Sequence, residues 1–207
     1  MIMYLGFNCG NGTWTYNESS DNVAIGSYAL NGALNGSNGT VAIGRSALSA
    51  LTDGTGNTAI GYQALDAEAQ GDFSTAVGYQ ALSASTGVDG NVSNTAVGYQ
   101  AGLLVTGIEN TFVGKTAGVA ATVGKYNVVM GTQALFTEDV GDGTTALGTF
   151  ALYSQNSDSD NEETGNVGVG FKASFYNETG KGNTYLGYEA GLGVSGQSNS
   201  YNIGIGD

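Results

Sequence analysis

One nine-residue phrase, clearest as Asn57-Thr58-Ala59-Ile60-Gly61-Tyr62-Gln63-Ala64-Leu65, recurs from one end of this chain to the other. Copies run over 22–30, 40–48, 74–82, 94–102, 110–118, 127–135, 144–152, 166–174 and 183–191, with partial copies around Gly6 and Gly206. The glycine of the phrase falls at 6, 26, 44, 61, 78, 98, 114, 131, 148, 170, 187 and 206. Five of the eleven intervals are 17 and only one, of 16, is shorter, so the longer intervals carry insertions. Self-similarity at a fixed period signals stacked structural units rather than a mixed globular core. Helical-hairpin repeats and propeller blades need roughly 33 residues or more. The period here suits one coil of a β-solenoid. The expectation is an all-β chain, a parallel β-solenoid of about twelve coils of about 17 residues, with residues 1–207 forming one repeat domain.

The columns of the repeat assign its parts. The residue before the glycine is always aliphatic, from Leu5 and Ile25 to Leu186 and Ile205. Two residues earlier stand Val, Thr, Met or Ile, on the same strand face because side chains alternate with period two. Most members are β-branched, which suits a pleated surface. The aliphatic column reads as the solenoid core. Between the two lies a column of mostly small residues such as Ala24, Ala42, Ala59 and Ala76, read as a tight bend within one chain or the contact with a neighbouring subunit. Three residues past the glycine the column is Cys9 and then alanine in every complete copy, which marks a crowded inner corner. The glycine supplies a positive φ or a close backbone approach. Four residues before it, Asn22, Asn57, Asn94, Asn110, Asn127, Asn166, Asn183 and Asn202 suit turns and can form a ladder of amides.

Composition narrows the function. The chain has 36 glycines and no proline, which fits backbone N–H groups committed to ladders. The large apolar residues are few, so one chain has a thin core and burial between chains is expected. The net charge of −13 with five basic residues argues against nucleic acid and against anionic membranes. No apolar run reaches transmembrane length, and no cofactor motif is present. The chain opens and closes inside a repeat, as a segment of a longer protein would.

Here the residues carry a resemblance. Asn22-Val23-Ala24-Ile25-Gly26 and Thr40-Val41-Ala42-Ile43-Gly44 resemble the head repeats of trimeric autotransporter adhesins. Asn57 to Leu65 and its copies are similar to repeat regions of bacteriophage tail fibres. The resemblance implies a left-handed parallel β-roll assembled as a parallel homotrimer and displayed on a virion or a cell surface. The unit is longer here than the adhesin head repeat, and neither the adhesin neck, stalk and anchor nor the phage chaperone domain is present.

Catalytic chemistry is sparse. Without histidine, neither a Ser-His nor a Cys-His system exists, and Cys9 has no partner cysteine. Gly165 to Gly170 belongs to the repeat rather than to a phosphate loop. Acidic clusters at Glu138, Asp139 and Asp142 and at Asp158, Asp160, Glu162 and Glu163 lie in insertions and read as solvated loops. The second is also the candidate for a weak calcium site. Deleting 158–163 is expected to be nearly neutral, because loop length enters closure entropy only logarithmically. Recognition belongs in the insertions, and Trp14 and Tyr16 in the first are the candidate receptor-binding residues, or else a cap on the first coils. Tyr62, Tyr79 and Tyr99, each followed by Gln, form a structural stripe.

The leading reading is a non-enzymatic attachment module of a phage tail fibre or bacterial surface adhesin, whose partners are itself and a surface glycan or protein receptor. The alternatives are a passive spacer or self-assembling filament, and an ice-binding type of solenoid using the Thr column.

Overall fold

The computed structural model describes residues 3–10, 12, 19–87, 90–157, 159 and 162–206. Among them the chain is all-β, without a helix, and coils as a parallel β-solenoid. It divides into two compact units, Met1–Gln100 and Ala101–Asp207. In the first unit the strands are β1 (Met3–Leu5), β2 (Val23–Ile25), β3 (Val41–Ile43), β4 (Thr58–Ile60), β5 (Gly71–Asp72), β6 (Thr75–Val77), β7 (Gly90–Asn91) and β8 (Thr95–Val97). Strands β1, β2, β3, β4, β6 and β8 lie side by side in that order, and β5 pairs with β7 on a second, short sheet. In the second unit β9 (Thr111–Val113), β10 (Val128–Met130), β11 (Thr145–Leu147), β12 (Val167–Val169), β13 (Thr184–Leu186) and β14 (Ile203–Ile205) lie in sequence order. Within each unit every pairing is parallel and in register, column on column, as Ile43↔Ile60 and Ala59↔Ala76 show.

A three-residue strand can turn either its middle residue or its two outer ones inward. The structure turns the middle inward, and this reverses the expected core. Ala24, Ala42, Ala59, Ala76, Ala96, Phe112, Val129 and Ala146 are fully buried. The aliphatic column instead faces out, with Ile60 at 38%, Met130 at 44% and Leu186 at 46% exposure. The small column is thus neither a bend nor a subunit contact but the inner wall of the coil. The reason is volume. Leu30, Leu48, Leu65, Leu82, Leu135 and Leu152, four residues past the marker glycine, all point inward and are fully buried. They fill the lumen, and little more than alanine fits opposite them.

The turn that delivers these leucines alternates handedness. Leu65 sits at φ 51° and Gln63 at φ 51°, both left-handed, and the corresponding residues of the other coils do the same. Ala64 between them donates its N–H to the Gly61 carbonyl at 3.5 Å, and Leu65 donates to the Ala81 carbonyl of the next coil at 3.1 Å. The alanine column is buried as the sequence reading requires. Cys9 occupies its slot half-buried, its thiol donating to the Ala24 carbonyl at 3.1 Å. The marker glycine is needed twice over. Gly26 adopts φ 128°, and a Cβ on it would stand 2.6 Å from the Gly44 carbonyl.

Candidate functional site

Each unit presents an outward strand face built from two columns, Thr or Val in one and aliphatic in the other. In the first unit Val23, Ile25, Val41, Ile43, Thr58, Ile60, Thr75, Val77, Thr95 and Val97 make it up, all half-buried or exposed. In the second unit the face runs from Thr111 and Val113 to Ile203 and Ile205, the last pair 80% and 76% exposed. None of these residues is charged. The parallel register holds like beside like, so the apolar surface is continuous within a unit. Soluble proteins rarely leave contiguous apolar patches of this kind in water unless something covers them. The sequence reading placed these residues on a shared face, but on the wrong side of the wall.

Beside the first unit's face, the turn carries two ladders. Tyr62 stacks on Tyr79 with ring centroids 5.1 Å apart, and Tyr79 on Tyr99 at 5.3 Å. The Arg45 guanidinium lies 5.9 Å over the Tyr62 ring. The Gln80 amide donates to Gln63 Oε1 at 3.0 Å, and Gln100 to Gln80 at 2.9 Å. The ring spacings are close to the distance between parallel strands, roughly 4.8 Å. Both faces of Tyr79 are taken up by its neighbours, and Tyr62 is held between Tyr79 and Arg45, which fits a structural stripe.

The asparagine column forms the amide ladder. Asn57 accepts from the Ser74 N–H at 2.8 Å and donates to the Gly71 carbonyl at 2.6 Å. Asn127 does the same with Thr144 N–H at 2.8 Å and Gly141 O at 2.9 Å. These asparagines are buried and are not themselves left-handed. The residue before each takes that conformation instead, as Asp21 before Asn22 and Tyr126 before Asn127 do at φ 58° and 60°.

The acidic candidates separate. Glu138 is fully buried rather than solvated. Its carboxylate accepts from Gly141 N–H at 2.9 Å and Ser157 N–H at 3.1 Å on Oε1, and from the Ser157 hydroxyl at 3.0 Å on Oε2. Glu68 closes the equivalent turn in the first unit with Gly71 N–H at 2.8 Å and the Ser85 hydroxyl at 2.7 Å. Asp142, also buried, accepts from Lys125 N–H at 2.7 Å. These carboxylates replace missing backbone partners, and that corrects the solvated-loop reading for Glu138 and Asp142. In the other cluster, Glu162 pairs with Lys181 and Glu163 bridges to Asp142 through the backbone, while Asp158 and Asp160 lie outside the described residues. Among the described residues no group of three or more Cys, Asp or Glu gathers as a metal site would require. Trp14 and Tyr16 also lie outside the described residues. No described helix is long and apolar enough to cross a membrane.

Comparison with protein-family models, curated proteins and solved structures finds no match to this chain.

Proposed function

We propose that this chain is a non-enzymatic fibre or adhesin module that self-assembles through its outward strand face and contributes to attachment to a host or surface. The observation that supports it most is the uncharged, in-register aliphatic face of each unit, which a single chain leaves in water. A second copy supplies the same face, and closed rotational symmetry buries it on every subunit. The parallel homotrimer, the left-handed coil and display on a virion tail fibre or bacterial surface come from the resemblance to adhesin head and tail-fibre repeats. The receptor is a surface glycan or protein, with Trp14 and Tyr16 as the residues carried forward for it.

Replacing Trp14 and Tyr16 together tests the attachment half of this reading. Surface binding should fall while the melting temperature holds. A fall in both means that the aromatics cap the coils.

One observation favours a second reading. Thr58, Thr75 and Thr95 stand in register on the outward face without a bulge, because the insertions lie away from the strands. A flat Thr column of this kind suits an ice-binding surface. Thermal hysteresis by a monomeric chain would favour that reading over self-assembly.

A further inference from the structure

We infer that the cleft lined by Thr137, Ser154, Asn156, Glu178 and Thr179 in the second unit is a subsite for a neutral sugar. The inference rests on the attachment reading and names its ligand class. The cleft, with a volume of about 350 Å³, falls at the lower end of the range of small-molecule sites.

Its origin lies in the hydrogen-bond ladder at one corner of the coil. Thr106 N–H donates to the Thr122 carbonyl and Thr122 N–H to the Asp139 carbonyl, each at 2.6 Å. One coil further on, the Asn156 N–H donates to the Glu178 carbonyl at 2.8 Å. The backbone bond that would join Asp139 to Asn156 is not made among the described residues. Instead the Thr137 hydroxyl reaches the carbonyls of Tyr153 at 3.0 Å and Gln155 at 2.9 Å, and the corner opens.

The walls are polar and partly unspent. Ser154 Oγ, Thr179 Oγ1 and Glu178 Oε2 make no hydrogen bond within the described chain. The Glu178 carboxylate is held by the Gly196 N–H on Oε1 at 3.0 Å, which fixes its other oxygen as an acceptor. With its amide turned so that the nitrogen faces the acceptors around it, Asn156 donates to the Thr137 carbonyl at 3.3 Å and to Asp139 Oδ1 at 2.9 Å. Phe136 and Tyr153, which immediately precede Thr137 and Ser154, stack at 5.0 Å and hold those two at a fixed spacing, and Phe175 continues the stack at 4.9 Å.

The chemistry selects the ligand. One lining carboxylate is too few for a hard cation that wants six or more oxygens. No lysine or arginine lines the cleft, so a phosphate or sialic acid meets only negative charge. No apolar anchor is present for a protein hot spot. Hydroxyls, an amide and an accepting carboxylate match the vicinal hydroxyls of a neutral pyranose.

The test is saturation-transfer NMR and calorimetric titration of the whole chain with methyl glucoside, methyl galactoside and N-acetylglucosamine, with sialyllactose and calcium as controls. At least one neutral sugar should bind in the millimolar range, and both controls should be weaker. Thr179→Arg, at an exposed position, and Ser154→Tyr should each weaken it by about tenfold or more without lowering the melting temperature. If Ser154→Tyr unfolds, Thr179→Arg decides. No binding by any neutral sugar, or binding that both variants leave unchanged, overturns the site. Surface attachment of the same proteins separates the two readings. Attachment that persists without sugar binding overturns the cleft alone, whereas sugar binding without attachment overturns the attachment reading and leaves the cleft standing.

Discussion

Phe112 and Gly118 share a volume that Ala and Leu share in other coils, as Ala59 and Leu65 or Ala146 and Leu152 do. Where the middle strand residue is alanine, as at Ala59, the residue six further on is usually leucine, as at Leu65. Where it is Phe112 or Tyr185, that residue is glycine, and a Cβ on Gly118 or Gly191 would run into the ring. The pair therefore forms one packing unit. Phe112→Ala should cost about 3–5 kcal/mol through the cavity it leaves. Gly118→Leu should destabilise by overfilling, about 1–3 kcal/mol. The double variant should return to within about 1.5 kcal/mol of the parent, because the total volume is kept. Denaturant melts of the four proteins check this, and additive losses would contradict it. Ala81→Leu and Ala117→Leu, in the crowded corner, should each cost about 1–3 kcal/mol with no such rescue. The corner alanines and the marker glycine were legible in the sequence because uniformity of size reports crowding directly. The strand face was not. Ile60 looks like core by its chemistry, and only the volume of Leu65, delivered from a left-handed turn, leaves room inside for nothing larger than Ala59. Leucine at a left-handed position runs against ordinary backbone preference, so its inward role gave no local signal.

Within one coil, the turns are closed by side chains in place of backbone. Asn127→Ala leaves the Thr144 N–H and the Gly141 carbonyl buried and unpaired. Each such group costs about 1–3 kcal/mol. Hydrogen exchange at the Thr144 amide should accelerate more than at amides two coils away, since repeats couple to their neighbours. Glu138→Ala should lower the melting temperature for the same reason, and Glu138→Gln, which keeps an acceptor, should lower it less. The asparagine ladder could be read from its column. The buried carboxylates could not, because Glu138 sits among Asp139 and Asp142 in what reads as a solvated insertion. The other acidic cluster shows where the deletion expectation needs revision. Asp142 N–H donates to the Glu162 carbonyl at 2.8 Å, so Glu162 and Glu163 belong to the coil. Removing 158–161 alone should leave the melting temperature within about 0.5 kcal/mol equivalent of the parent, whereas extending the cut through 163 should lower it.

For the whole molecule, the account turns on the outward strand face. The repeat made the parallel solenoid legible, and the resemblance supplied a number of subunits, but the sequence alone left the small column as either a tight bend or the subunit contact. The structure closes that column inside the coil and puts Ile60, Val97, Met130 and Leu186 on the outside. The direct measurement is the molar mass in solution, by light scattering and sedimentation equilibrium, of the parent chain and of an Ile60→Asp, Val97→Asp variant. The account predicts a trimer for the parent, and for the variant a smaller species that keeps its β-type circular dichroism. A parent chain that stays a folded monomer at micromolar concentration, its aliphatic face open to water, would contradict it.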